Sequence, residues 1–358
     1  MGSIYELTRD EVGERLVGEP RYRVDQLWRG LWAEARRLDD VTTLPAAVRA
    51  RLVKQFPEAL RVVSEVASDH GSTRKWVFAL GDGATIETVL MHYRDRVTVC
   101  VSSQAGCAMG CTFCATGQAG FARQLAVGEV IEQVLFAARA AAPTRLSNVV
   151  FMGMGEPLAN YAVTVTVLRR LNEYLGLSAR HLTVSSVGVA PAIERLAREG
   201  LAITLAVSLH AANDDTRSEL IPLNRRYPLE RLGRACATWV ELTGRRLSFE
   251  WALIDGVNDT ERAMGELADY VAPLGAHVNL IPLNPTPGYL VRGSTPARVR
   301  ECRDALRRLG VNVTVRDTRG RSIAAACGQL ANVARASATG ELTIRRRSAR
   351  AIGGGASG

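Results

Sequence analysis

Four of the seven cysteines in this 358-residue chain fall between Cys100 and Cys114. Three of them, Cys107, Cys111 and Cys114, sit in the glycine-rich run Gln-Ala-Gly-Cys-Ala-Met-Gly-Cys-Thr-Phe-Cys-Ala-Thr-Gly. The C-x3-C-x2-C spacing lets three thiolates converge from one loop. Structural zinc sites and fully protein-ligated iron–sulfur clusters close a shell of four ligands, so three leave one metal position open. An open iron on such a cluster can chelate the amino and carboxylate groups of S-adenosylmethionine, setting the sulfonium where one electron cleaves a C–S bond. The competing arrangement is a zinc site that borrows a distant histidine, such as His70 or His92.

The loop follows the strand-like run RVTVCVSS, and from Val97 onward such runs alternate with amphipathic ones: GEVIEQVLFAARAA, NVVFMG, YAVTVTVLRRLNEYLG, HLTVSS and so on to VNVTVRD. That alternation predicts an α/β fold with a mainly parallel sheet. Six βα units build either a curved partial barrel or a doubly wound open sheet, and both gather the loops after the strand C-termini at one face. Upstream, VDQLWRGLWAEA and PAAVRARLVKQF have helical spacing, so residues 1–60 are expected to form a small helical N-terminal domain. Residues 61–96, with VVSEVAS, KWVFALG and ATIETVLMHY, read as a β-rich connector leading into a catalytic domain at 97–335. The tail 336–358 joins a basic run to Gly and Ser and is expected to be disordered.

Composition narrows the class. With 47% hydrophobic and 23% charged residues the chain suits a globular enzyme. No apolar run is long enough to span a bilayer and no secretory signal opens the chain, so a cytoplasmic, membrane-free monomer is expected. Thiols stay reduced in that compartment, which favours metal binding or catalysis over structural disulfides. The net charge of +9 suits a polyanionic partner, with the N-terminal domain and the pairs Arg225-Arg226, Arg245-Arg246 and Arg307-Arg308 as candidate phosphate contacts.

In order along the chain, VCVSSQAGCAMGCTFCATGQAGF, SNVVFMGMGEPLANY, VSSVGVAP, AVSLHA, NLIPLNPTPG and VRDTRGRSIAAACGQLA resemble the RlmN/Cfr family of dual-specificity RNA methyltransferases, within the radical S-adenosylmethionine superfamily. The likeness runs from about Glu87 to Leu330 and is greater to the RlmN branch. It implies a partial (β/α)6 barrel of the radical SAM type. It also implies one [4Fe-4S] cluster on Cys107, Cys111 and Cys114, with S-adenosylmethionine completing the shell and two of these cofactors used per turnover. Cofactor contacts carried over by resemblance are Gly155 and Glu156 of the GMGEP turn, Ser185 or its neighbour Ser186, then Ser208, Leu209 and His210, and Asn284. The residue types agree, since Gly155 permits close backbone approach and the Glu156 carboxylate can accept from an ammonium group. Taken singly, the Gly-Glu-Pro run is a turn and His210 a hydrogen-bonded core histidine; their recurrence after successive strands favours a site.

Two further cysteines and one glutamate take roles from the same resemblance. It makes Cys327 the methyl-carrying cysteine, Cys100 its resolving partner through a disulfide, and Glu87 the proton acceptor. Read alone, both cysteines are small buried residues and Glu87 is a solvent-facing charge on an alternating strand. The chemistry shows why such a pair is useful, because adenine C2 is electron-poor and disfavours direct attack on a methyl sulfonium, whereas a carbon radical can add to it. The implied substrates are an adenosine in 23S ribosomal RNA and one in the transfer-RNA anticodon loop, with a flavodoxin or ferredoxin as electron donor. Methylation at C8 of the same adenosine, as in the antibiotic-resistance branch, is the alternative product. A ribosome-binding protein with a structural metal, or a one-electron carrier, is the alternative of a different class; neither needs Cys327, Cys100 and the Gly-Glu-Pro turn together.

Overall fold

The computed structural model describes residues 2–284, 286, 291–316, 319–320, 323–326 and 328–330. Cys327 and the tail 336–358 lie outside the described residues. Twelve strands are present among those described: β1 Arg61–Ser68, β2 Thr73–Ala79, β3 Thr85–His92, β4 Val97–Cys100, β5 Gln104–Gly106, β6 Phe121–Gln124, β7 Asn148–Phe151, β8 Leu182–Ser186, β9 Thr204–Ser208, β10 Ser248–Leu253, β11 His277–Pro282 and β12 Asn312–Val315. All except the β5–β6 hairpin join one ten-stranded sheet in the order β1-β2-β3-β4-β7-β8-β9-β10-β11-β12. From β4 to β12 every pairing is parallel, as the strand and helix alternation predicts. β1 to β4 pair antiparallel, so the strands read from sequence as a connector are hydrogen-bonded into the main sheet.

Curvature decides between the two parallel architectures. A flat sheet would separate β7 from β12 by five strand spacings, about 24 Å. Here Arg316, just after β12, lies 3.6 Å from the sulfur of Met152, just after β7, and 3.4 Å from Glu250 on β10. The sheet therefore curls into the partial barrel, with its concave face lining a cavity and the helices covering the convex face.

The helices are α1 Arg9–Arg15, α2 Tyr22–Trp28, α3 Ala46–Gln55, α4 Ala115–Ala119, α5 Val127–Ala141, α6 Tyr161–Glu173, α7 Ala190–Ala197, α8 Asp214–Leu220, α9 Leu229–Thr243, α10 Glu261–Val271 and α11 Pro296–Arg308. None described is long and apolar enough to cross a membrane. Helix α5 fixes the start of the cysteine loop through a buried amide. Gln133 Oε1 accepts from Ser102 N at 2.8 Å and from Thr88 Oγ1 on β3 at 2.9 Å, while Nε2 donates to the carbonyls of Ser102 and Glu129 at 3.1 Å each. Both halves of the amide are used, which an interior site of low polarity requires.

The N-terminal helices are held against α5 and α6. Tyr5, Trp28 and Trp32 pack edge-on with Tyr174 beyond α6, at centroid separations of 4.8–5.5 Å for the Tyr5–Trp32, Trp28–Tyr174 and Trp32–Tyr174 pairs. At the same junction, Glu132 of α5 accepts from Ser3 Oγ at 2.5 Å and from the backbone N–H groups of Ala59 and Leu60 at 2.8 and 3.2 Å. Burial raises the Glu132 pKa from 4.5 to about 7 despite these donors.

The native state thus binds more protons than the unfolded chain between about 4.5 and 7, so the stabilising contribution is full below that window and is lost as pH rises through it. The difference is on the order of 3 kcal/mol. Glu132→Gln keeps an acceptor for the two backbone groups and turns an amide donor to the Ser3 hydroxyl oxygen in place of the oxygen that accepts from it. It is expected to be more stable than the parent at pH 8 and to lose that advantage at pH 4.5, measured as urea unfolding midpoints.

Candidate active site

The cysteine loop leaves β4 and is held at once by the turn that follows β7. Ser103 N and Gln104 N donate to Met154 O at 2.8 and 3.2 Å, and Glu156 N donates to the Gln104 side-chain oxygen at 2.8 Å. Gly155 makes this approach possible: its φ is +99°, and a Cβ there would lie 2.5 Å from Gln104 Cβ. Ser102 Oγ joins the same junction to β3, accepting from Met154 N at 3.0 Å and donating to Glu87 O at 2.6 Å.

Beyond this junction Cys107, Cys111 and Cys114 line one wall of a cavity of about 1040 Å³. Gly155, Glu156, Ser185, Ser208, His210 and Asn284 line the same cavity, contributed by the loops or ends of β7, β8, β9 and β11. Ser185 faces the cavity, whereas Ser186 Oγ accepts from the N–H groups of Gly188 and Val189, so strand alternation assigns the outward serine. Leu209 departs from the expected set. Its side chain turns into the hydrophobic core, its N–H donates to Glu250 O at 3.0 Å, and its carbonyl accepts from Arg217 Nε at 3.1 Å. Successive residues of an extended segment face opposite ways, so Ser208 and Leu209 cannot both present side chains to the cavity.

The charges are arranged by burial. Glu156 is 2% exposed and accepts from Leu158 N and Val187 N at 2.9 and 2.8 Å; burial nevertheless raises its pKa from 4.5 to about 7. His210 holds a backbone φ of +59°, and its Nδ1 accepts from Ala252 N at 2.8 Å. Burial, with the Arg217 charge adding to it, lowers its pKa to about 3, leaving a neutral ring whose proton is on Nε2. That ring stands edge-on to Phe113 of the cysteine loop, 4.7 Å between centroids. Burial pushes the Cys107 thiol up to about 12, the neighbouring Glu156 charge adding to it, and the Cys111 thiol well above its ordinary value.

Thiols in such a setting become thiolates when a cation offsets the burial, so the donor set is suited to a metal centre. Among the described residues no three His, Cys, Asp or Glu side chains close around a single ion, and neither His70 nor His92 lines the cavity. Three spread thiols fit a cluster that distributes its ligands over several corners better than a zinc shell. The polar groups opposite them fit a small zwitterion, with a carboxylate for its ammonium and hydroxyl, amide and imidazole groups for the rest.

A second cavity, of about 490 Å³, adjoins the first and shares Met152, Ile281, Arg316 and Leu330 with it. Cys100 lines this second cavity. Of the two chain neighbours of Cys327, Ala326 lines the second cavity and Gly328 the first. The segment around them is tied to the cysteine loop, with Ala115 N donating to Gly328 O at 2.8 Å and Thr116 Oγ1 donating to Leu330 O. Glu87 is buried, 3% exposed, rather than facing solvent.

Several supporting residues carry no signal in the sequence. Arg217 is 1% exposed and donates to the carbonyls of Val187, Ser208 and Leu209 and to Asn224 Oδ1, bracing the ends of β8 and β9. Asn258 Nδ2 donates to the carbonyls of His210 and Ala252 at 2.7 Å each, locking the strained His210 turn. Both read in sequence as ordinary helix and loop polarity; only their burial separates them from surface residues.

Comparison with known proteins places these features in context. The Radical SAM superfamily model matches residues 101–270. A dual-specificity RNA methyltransferase RlmN of Frankia casuarinae is 53% identical over 91% of this chain and 82% of its own length. Its counterpart in Chloroflexus aurantiacus is 48% identical over 92% of each chain. The crystal structure of a radical SAM methyltransferase from Sphaerobacter thermophilus superposes with a TM-score of 0.89 at 49% identity, covering 92% of this chain and 99% of that one.

The Gly155 packing gives a direct test. Gly155→Ala meets both an unfavourable backbone and a clash with Gln104, and is expected to destabilise by about 2 kcal/mol or more. Gly176→Ala shares a positive φ, +69°, but has open space at its Cβ, so about 1 kcal/mol is expected. Urea midpoints of the two variants would be compared with the parent.

Proposed function

The chain belongs to the RlmN family of radical SAM RNA methyltransferases, and we propose that it methylates C2 of an adenosine in 23S ribosomal RNA, and of one in the transfer-RNA anticodon loop, through a methyl group carried on Cys327. The observation supporting this reading is the pair of adjoining cavities. One is lined by the three thiols and the other by Cys100, with Gly328 and Ala326, the neighbours of Cys327, lining one each.

Cys107, Cys111 and Cys114 would hold a [4Fe-4S] cluster that, reduced by a flavodoxin or ferredoxin and with S-adenosylmethionine bound, would supply the hydrogen-abstracting carbon radical. Glu156 would receive the cofactor ammonium, an arriving cation that favours the carboxylate over its protonated form. The neutral His210 would donate from Nε2, and Ser185, Ser208 and Asn284 would orient the remaining polar groups. The Cys327 thiolate is a good nucleophile and takes a methyl group from the sulfonium of a first cofactor by displacement. After its S-methyl group gives up a hydrogen in a second event, the methylene carbon bonds to adenine C2, joining protein and RNA. Glu87 then accepts the C2 proton as one electron passes from the adduct to the oxidised flavodoxin or ferredoxin. Attack of the Cys100 thiolate on Cys327 Sγ breaks the S–C bond, forms a disulfide and leaves the carbon to be protonated as a methyl group. An external dithiol resets the pair. The base must be unstacked to reach these residues, because C2 lies on the minor-groove edge. The helices within residues 2–60 would provide RNA contacts for a cytoplasmic monomer, the net charge of +9 being that of the whole chain.

The reading is tested by incubating anaerobically purified, cluster-loaded protein with RNA and S-adenosylmethionine and digesting the RNA for mass spectrometry. 2-Methyladenosine is expected from the parent and none from Cys327→Ala. 8-Methyladenosine would overturn the assignment of C2, and product from Cys327→Ala would overturn the cysteine shuttle. Glu87→Gln is expected to accumulate a covalent RNA–protein species; unchanged turnover would remove its role as proton acceptor.

A further inference from the structure

Lys75 on β2 lines neither cavity, yet it is bonded to Ala324, whose chain neighbours Ala325 and Ala326 line the second one. Strand register sets its position. Lys75 stands opposite Val89, Val89 stands opposite Cys100, and Glu87 lies two residues along β3 from Val89. Directly paired residues share a face, and so do residues two apart on a strand. Lys75, Glu87 and Cys100 therefore project from one face of the sheet. Lys75 Nζ lies 3.2 Å from Glu87 Oε2 and donates to the carbonyl of Ala324 at 3.0 Å. Ala324 has a φ of +50°, a conformation unfavourable for a residue with a side chain, so its carbonyl is presented to Lys75 at a backbone cost.

Lys75 and Glu87 are 9% and 3% exposed. A buried ion pair adds little stability over an apolar pair of the same volume, because both charges must leave water. Its placement on the face that carries Cys100 is better explained by what the carboxylate does. We propose that Lys75 is a positioning residue for the resolving step: its ammonium orients Glu87 in anionic form and ties it to the segment that carries Cys327. The inference rests on the reading of Glu87 as acceptor of the C2 proton.

The surroundings of Glu87 support a role for the charge itself. Burial raises its affinity for a proton, and the Lys75 charge 3.2 Å away opposes that rise. Among the described residues, Lys75 is the charged group whose field acts on it. A protonated Glu87 cannot take a proton from the adduct, so loss of the ammonium should move proton acceptance to higher pH. The tether has separate support. The same segment is docked to the β2–β3 side by Arg319 Nη1 donating to His92 O at 2.6 Å and by Gly320 N donating to Asp69 Oδ2 at 3.1 Å.

The test uses cluster-loaded, full-length protein and follows the covalent RNA–protein species through formation and resolution across a pH series. Lys75→Gln keeps a donor for Ala324 O without the charge, Lys75→Met removes both, Lys75→Arg restores both, and Glu87→Gln serves as reference. Lys75→Gln and Lys75→Met are expected to form the species normally and to resolve it more slowly on the acid side of the midpoint, by about tenfold for each pH unit that the midpoint moves. In both, the rate should recover as pH rises, with its midpoint displaced upward by about one unit or more. Lys75→Arg should return the parental profile, and Glu87→Gln should be slow throughout. If Glu87→Gln stalls while Lys75→Gln follows the parental midpoint, the role of Lys75 is overturned and that of Glu87 stands. Slower formation with an unmoved midpoint would mark Lys75 as merely structural. Normal resolution by Glu87→Gln would remove the reading of Glu87 and this inference with it.

Discussion

The buried contact between Gln133 and Ser102 is the interaction on which the site's geometry depends. One amide joins α5, β3 and the start of the cysteine loop, and the Ser102 hydroxyl joins that loop to the carbonyl of Glu87 and to the turn after β7. The cysteine loop, the turn after β7 and the strand bearing Glu87 thus share one hydrogen-bonded junction. In an interior of low polarity each of its groups would be costly to leave unpaired, so the junction holds as a unit.

Much of the architecture was legible because period and spacing are local properties. The alternation from Val97 onward gave the parallel strands and their helices, and the three-cysteine run gave one wall of the cavity. Curvature was not legible, since it arises from contacts such as Arg316 with Met152 between distant strands. Glu87 shows the same limit. Its strand alternates as though one face met water, but Glu87 is buried beside Lys75, which is bonded in turn to Ala324. Arg217 is the converse case: its residue type suggests a surface charge, while four oxygens on three loops hold it in the interior. Ser185 and Ser186 could be told apart only once the strand's faces were assigned.

Burial does different work on the two sides of the cavity. It opposes ionisation of the Cys107 and Cys111 thiols and of Glu156, groups that a positively charged partner would draw into the charged form. It keeps His210 neutral, so its Nε2 remains a donor across the physiological range. Polar groups with unlike titration are thereby set in complementary states by one apolar enclosure, and the backbone bond to His210 Nδ1 removes the ambiguity of which nitrogen carries the proton.

Beyond β12, Arg319, Gly320 and Ala324 are secured to β3, to the turn before β2 and to β2 by bonds that involve side chains rather than by strand pairing. A barrel sealed by continuous strand pairing admits only what passes through its bore. One fastened by a few side-chain latches can take its substrate from the flank, so the reacting base need not be small enough to enter alone and can remain part of a folded polymer far wider than the enclosure.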